Sequence, residues 1–210
     1  SIVTSMKKLD YEGAKKHAFS ILKTKLVRDL DYHNLDHTQD MVESAVRIYF
    51  QEIQNAVEST FSNCKELFPF EESLLLLKTG AAYHDTGFSV RYKENEQAGA
   101  GIAKGSLARY GYKKKQIENI AEMIMATQLP QNPKTKLEEI LCDADLDNFG
   151  RDDFFDKGKL IRKELEGQGI KMSDKDWYNG TLKLLENHSY FTESAKKLRQ
   201  EKKEENIKKT

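Results

Sequence analysis

Cysteine is nearly absent from this 210-residue chain: Cys64 and Cys142 are the only two, and they lie far apart. That excludes a disulfide framework and points to a reducing, cytoplasmic setting. Proline is equally scarce, with Pro69, Pro130 and Pro133 alone, and two of these share one short stretch. Long hydrophobic runs are missing too. The longest, Leu74 to Leu77, meets Lys78 at once, so no membrane span is expected. Charge of one sign is also lacking. The 34 basic and 34 acidic side chains cancel, which removes any electrostatic argument for nucleic acid or an anionic membrane as partner. Alternating apolar positions with hairpin turns do not occur, which argues against a β architecture. The opening "SIVTSMKKLD" lacks a secretory pattern. It begins on Ser, so residues 1–5 before Met6 read either as an appended segment or as part of a longer chain.

Charged residues make up 32% and apolar residues 38%, the balance of a soluble protein with enough chain to bury a core unaided. The length fits one domain, 1–210, with a core over about 30–150, C-terminal helices over 151–190 and a charged tail over 191–210. Apolar residues recur at helical spacing throughout. Helices are expected near 9–30, 36–62, 71–86, 95–110, 113–128, 135–147, 151–167, 173–188 and 191–207. The breaks fall at Phe68–Phe70, Gly87, Arg109–Tyr112, Leu129–Pro133 and Glu166–Gly169. The tail "KKLRQEKKEENIKK" has little to bury and reads as a solvated, fraying helix.

The five histidines are not spread evenly. "YHNLDHTQDMV", Tyr32 to Val42, holds His33 and His37, and "HDTGF" holds His84 beside Asp85. Asp36 and Gln39 form a capping-box-like helix start. His37 lies one turn before Met41 on the face that also carries Ala45 and Ile48, so it should point inward. Taken singly, an inward histidine is a hydrogen-bonded core residue. The second motif changes the weighing. Leu77, Ala81 and His84 share a face of an apolar helix expected to end near Gly87, a C-cap residue type. Asp85 at that end is opposed both by burial and by the helix dipole. A bound cation answers both costs. The third element, "EEILCDADLDNFG", places Asp143, Asp145 and Asp147 at alternating positions. A calcium loop is excluded, because Asn148 and Phe154 stand where such a loop needs Gly and Glu. Asp143 and Asp147 read as solvated acids.

In this order and spacing the motifs resemble the HD superfamily of metal-dependent phosphohydrolases, over roughly residues 30 to 150. "YHNLDHTQDMV" is also similar to the Tyr-His-Asn-x-x-His-x-x-Asp-Val signature of cyclic-nucleotide phosphodiesterases, with Met41 inserted, and "ADLDN" to their Ala-Asp-Leu-x-Asn. The resemblance implies an all-α HD-domain bundle of roughly eight to nine helices. It implies His37, His84, Asp85 and Asp145 as metal ligands, and His33 as the general acid that protonates a leaving oxygen. Such a ligand set suits a divalent ion, Mn, Fe, Co, Ni, Zn or Mg, which would activate water. One tight site is expected. Asp85, counted with His33 among the catalytic residues, has a second oxygen that could bridge to a weaker one. The implied partner is a small phosphorylated substrate, a nucleotide being the expected class. The alternative is an inactive HD-fold domain that binds a nucleotide or a metal.

Departures from the named subfamilies leave the substrate open. Phe88 stands where bacterial deoxynucleotide monophosphatases carry Glu, Gly87 and Phe88 where alarmone hydrolases carry Glu-Asp, and no later histidine follows the HD pair before His188. Secondary candidates for substrate contact are Arg91, Glu96 and Lys104, with Thr127 and Gln128 looking toward the site. Gly99, Gly101 and Gly105 fit no phosphate-loop pattern. Ala98, Gly101, Ile102 and Gly105 instead suggest a small-residue packing face, and Trp177 and Tyr178 C-terminal core.

Overall fold

The computed structural model describes residues 8–26, 29–58, 67 and 69–210. The opening residues 1–5, Cys64, Phe68 and the expected helix end near 62 lie outside them. Among the described residues the chain is all-α, with nine α-helices and no strand. The helices are α1 (Tyr11–Thr24), α2 (Leu35–Glu58), α3 (Phe70–Tyr83), α4 (Asn95–Ser106), α5 (Lys114–Ala126), α6 (Lys136–Asp145), α7 (Phe154–Gly167), α8 (Asp174–Asn187) and α9 (Glu193–Lys209). Short 3-10 turns follow α3, α4 and α6, at Thr86–Ser89, Leu107–Tyr110 and Asp147–Gly150. No helix is long and apolar enough to cross a membrane, among the described residues.

The apolar run of α3 explains its place. Leu76, Leu77, Gly80, Ala81, Ala82 and Tyr83 are all buried, as a helix apolar on every side must be. Helices α1, α2, α4, α5 and α6 pack around it. Their contributions to the shared core include Ala18, Met41, Ile48, Ala103, Ile124 and Leu141. A smaller core of Phe149, Phe154, Leu185, Tyr190 and Ala195 joins the C-terminal helices.

Several local expectations are corrected. Helix α2 starts one residue early and is capped by Asn34, whose Oδ1 accepts from the Asp36 N–H at 3.0 Å. Asn34 wins over Asp36 because its amide also donates to Leu30 O and Asp31 O, fixing the preceding turn. Gly87 is not a left-handed cap. A Cβ there would strike Asn95 O and sit 2.6 Å from Gly99 N, so glycine lets α4 approach the end of α3. The packed face of α4 is Gly99, Ala100 and Ala103, whereas Gly101 and Gly105 face open space. Trp177 is half-buried and Tyr178 is exposed, because α8 buries only Leu185.

The charged tail is not a frayed, solvated helix. Lys203 and Asn206 are buried, and Asn206 Nδ2 donates to Phe149 O at 3.0 Å and Arg151 O at 3.1 Å. Nor are Asp143 and Asp147 solvated. Asp143 accepts from the Phe191 and Thr192 N–H groups and from the Thr192 hydroxyl, at 3.0, 2.8 and 2.8 Å. Asp147 accepts from Ser44 at 3.0 Å, Arg47 at 2.6 Å and Arg199 at 2.8 and 3.0 Å. Asp143 therefore pins the segment that leads into α9, and Asp147 pins α9 itself to α2. Removing one partner of a buried charge cluster leaves the others uncompensated. Asp147→Ala should lower unfolding stability by about 3 kcal/mol in a urea titration; a loss below about 1 kcal/mol would mean that α9 is held by apolar contact alone.

Candidate metal centre

Three helix ends converge beside the central helix. His37 comes from the first turn of α2, His84 and Asp85 directly follow α3, and Asp145 is the last residue of α6. His37, His84 and Asp85 each bring a ligand atom within 4.8 Å of one another, and all three are buried. Asp145 joins them through Oδ1, 3.1 Å from His37 Nε2 and 3.5 Å from His84 Nε2. Asp85 Oδ2 lies 3.0 Å from His84 Nε2 and 3.7 Å from His37 Nε2. The structure thus brings together all four ligands expected from the sequence.

Donors about 2.1 Å from a common metal, at angles near 90–110°, sit roughly 3.0–3.4 Å apart; the 3.0 and 3.1 Å pairs fall in that range, and the 3.5 and 3.7 Å pairs are wider. The hydrogen bonding fits as well. His84 Nδ1 donates to Ala81 O at 2.7 Å, which aims the Nε2 lone pair at the cluster and sets the tautomer a metal ligand needs. His84 Nε2 and Asp85 Oδ2 are buried and, although 3.0 Å apart, lack hydrogen-bond geometry with each other and with every other group among the described residues. Orphaned buried acceptors are costly, and a shared cation removes that cost for both at once. The field points the same way. Burial disfavours a charged His84, but Asp85 and then Asp145 outweigh it and hold its pKa well above the ordinary value. Burial likewise opposes ionisation of Asp85, and His84 overcomes it, lowering that pKa. The two carboxylates thus favour positive charge on the neighbouring imidazole.

His33 stands beside this cluster rather than in it. Its ring stacks on Phe88, with centroids 4.6 Å apart, and meets Tyr32 edge-on at 4.8 Å. Its Nδ1 contacts Glu164 Oε2 at 2.5 Å. Glu164, in α7, also accepts from the Tyr32 and His33 N–H groups at 3.1 and 2.8 Å and from the Tyr92 hydroxyl at 2.8 Å. Burial resists a charge on Glu164, but these donors, His33 first, hold its pKa below the usual value. Burial also resists a charge on His33; the bond to Glu164 and then Asp85 prevail and raise its pKa. The ring is therefore biased toward the protonated form, with Nε2 the nitrogen free to give its proton.

Glu164 was not foreseen in the sequence. Its one signal is its place within the apolar stripe of Leu160, Ile161 and Leu165, where a carboxylate needs a buried partner. The secondary candidates are dispersed. Arg91 is exposed and reaches only Gln97, at 3.5 Å. Glu96, in the first turn of α4, makes no hydrogen bond or ion pair with the cluster among the described residues. Lys104 lines a separate groove of about 430 Å³ with Glu118, Met125, Asn132, Lys134 and Glu138. Thr127 bonds back to Ile124 O at 2.7 Å, and Gln128 is exposed. His17 lies outside the cluster, bonded to Tyr83 Oη at 2.8 Å.

The chain should bind about one divalent transition ion tightly. His84→Ala and Asp85→Ala should each strip it, read by elemental analysis of the dialysed proteins; unchanged metal in both folded variants would contradict the site. Compared with known protein families, with curated proteins and with solved structures, the chain matches none.

Proposed function

We propose that this chain is a metal-dependent phosphohydrolase of the HD type, cleaving a phosphate ester of a small molecule, a nucleotide being the expected class. The observation that carries the reading is His33, whose Nδ1 lies 2.5 Å from the buried Glu164 carboxylate, next to the cluster of His37, His84, Asp85 and Asp145. A purely structural metal site needs no such neighbour.

His37, His84, Asp85 and Asp145 would hold the ion, which supplies Lewis acidity and a water acidified toward neutral pH. The protein's own residues supply the rest. His33 Nε2 gives its proton to the leaving oxygen as the P–O bond breaks. Glu164 keeps the imidazole oriented and charged through Nδ1, and the Glu164 carboxylate is itself fixed by Tyr92 and by two backbone N–H groups. Phe88 and Tyr32 confine the ring between them. The His33 side chain is 26% exposed, which lets solvent restore its proton after turnover. The aromatic Phe88, where bacterial deoxynucleotide monophosphatases of this superfamily carry Glu, gives the His33 ring an apolar wall.

A panel of nucleotides and simple phosphate esters, assayed with the metal-loaded chain, tests the reading. Hydrolysis should appear and should vanish on chelation. His33→Ala should keep its metal and lose ~10²–10⁴-fold in rate on alkyl esters, and less on nitrophenyl esters, whose leaving group needs little protonation. Equal losses on both ester classes would refute the acid role. Metal-replete protein that cleaves no ester in the panel would leave a binding domain.

Glu164→Gln keeps the shape but removes the charge that sustains the imidazolium. It should retain the metal and lose rate in the same leaving-group-dependent way, by less than His33→Ala. A uniform loss across all esters would make Glu164 a scaffold residue only.

A further inference from the structure

Tyr32 stands against both histidines of the motif that runs from Tyr32 to Val42. Its ring centroid lies 4.5 Å from that of His37, inclined by 33°, and 4.8 Å from that of His33, edge-on. Its N–H donates to Glu164 Oε1 at 3.1 Å, so its backbone is tied to the carboxylate that also holds His33. The residue is buried, and contact with two rings leaves the phenol little freedom to turn. Its hydroxyl nevertheless donates to no group among the described residues, although a buried tyrosine O–H usually finds a partner.

The charges around the hydroxyl show which way it faces. Burial first, and then Asp145, Asp85 and Asp40 in that order, keep the proton on the phenol. The two strongest charges belong to the cluster, so the hydroxyl lies on the cluster side of the ring. The acceptors there are engaged elsewhere. Both oxygens of Asp40 take Arg151 Nη1, at 3.0 and 2.8 Å. Asp145 Oδ1 faces His37 Nε2 at 3.1 Å, and Asp85 Oδ2 faces His84 Nε2 at 3.0 Å. A bare cation among these groups gives a phenol nothing to donate to, whereas an oxyanion on that cation does. A phosphoryl group presents three oxygens besides the leaving one. The ion, the His33 proton and the Tyr32 hydroxyl can then each take a different oxygen.

We infer that Tyr32 is a substrate-binding residue, its Oη donating to a non-bridging oxygen of a phosphoryl group held at the cluster. The inference rests on the reading of the site as one that takes a phosphate ester, and inorganic phosphate tests it without turnover. Calorimetric titration of phosphate into the metal-loaded full chain should show binding. Tyr32→Phe keeps the ring and deletes one hydroxyl. It should retain the metal and weaken phosphate binding roughly 10–100-fold, the range for a hydrogen bond to a charged group. A non-bridging oxygen is held in substrate and transition state alike, so KM should rise by a similar factor with kcat little changed. The loss should be equal on alkyl and nitrophenyl esters, unlike that of His33→Ala. Equal phosphate affinity in the wild-type chain and Tyr32→Phe overturns the inference, as does a metal-loaded wild-type chain that binds no phosphate. Loss of the metal from Tyr32→Phe would make the residue a support for His37 and also overturns it. So does a fall in kcat confined to poor leaving groups, which would assign the hydroxyl to proton transfer. Phosphate bound through Tyr32 by a chain that cleaves no ester upholds the inference and refutes the hydrolase instead.

Discussion

Two carboxylates, the buried Asp85 and the partly buried Asp145, lie beside two imidazoles, and the surrounding architecture follows from that arrangement. The four groups come from the ends of three helices, so the cluster exists only when α2, α3 and α6 are packed in register. The apolar α3 at the centre supplies that register. The small residues Gly87 and Gly99 let α4 press on the end of α3 and fix the direction of the His84–Asp85 pair. Without a cation the cluster leaves His84 Nε2 and Asp85 Oδ2 unpartnered, an arrangement that hydrophobic burial alone would not favour.

The C-terminal third of the chain acts on this centre from outside. The three aspartates around the end of α6 divide their work. Asp145 turns to the cluster, while Asp143 and Asp147 turn away and hold the segment before α9 and α9 itself. The same short stretch thus sets a ligand and anchors the last helix. Glu164 provides the second link, reaching from α7 to His33 across 131 positions of sequence. A helix with few buried residues is thereby joined to the group assigned the proton transfer.

The helical class was legible because it rests on local pattern, and so were the inward placements of His37 and His84 and the costly position of Asp85, while Asp145 was singled out by the resemblance of its motif. Apolar spacing marks helices, and a histidine on an apolar face or an aspartate at the end of a buried helix stands out in a short window. What escaped was long-range. Asp147 looked like a solvated acid because its partners, Arg47 and Arg199, are 100 and 52 residues away. The charged tail looked unable to bury anything, yet Lys203 and Asn206 satisfy backbone carbonyls of distant segments. Glu164 gave almost no signal, since one acid in an amphipathic helix is ordinary until its neighbour is known. Lys104 was drawn toward the site by its charge and its place beside glycines, whereas the course of α4 carries it to another groove.

The central claim is that His37, His84, Asp85 and Asp145 hold a metal ion, and anomalous X-ray scattering tests it at atomic level. Crystals of the metal-loaded chain, measured on both sides of the absorption edge of the added ion, should show one strong anomalous peak. It should lie about 2.0–2.3 Å from His37 Nε2, His84 Nε2 and one oxygen each of Asp85 and Asp145. An ion bound elsewhere, or an empty cluster closed by direct hydrogen bonds in metal-replete crystals, would contradict the account.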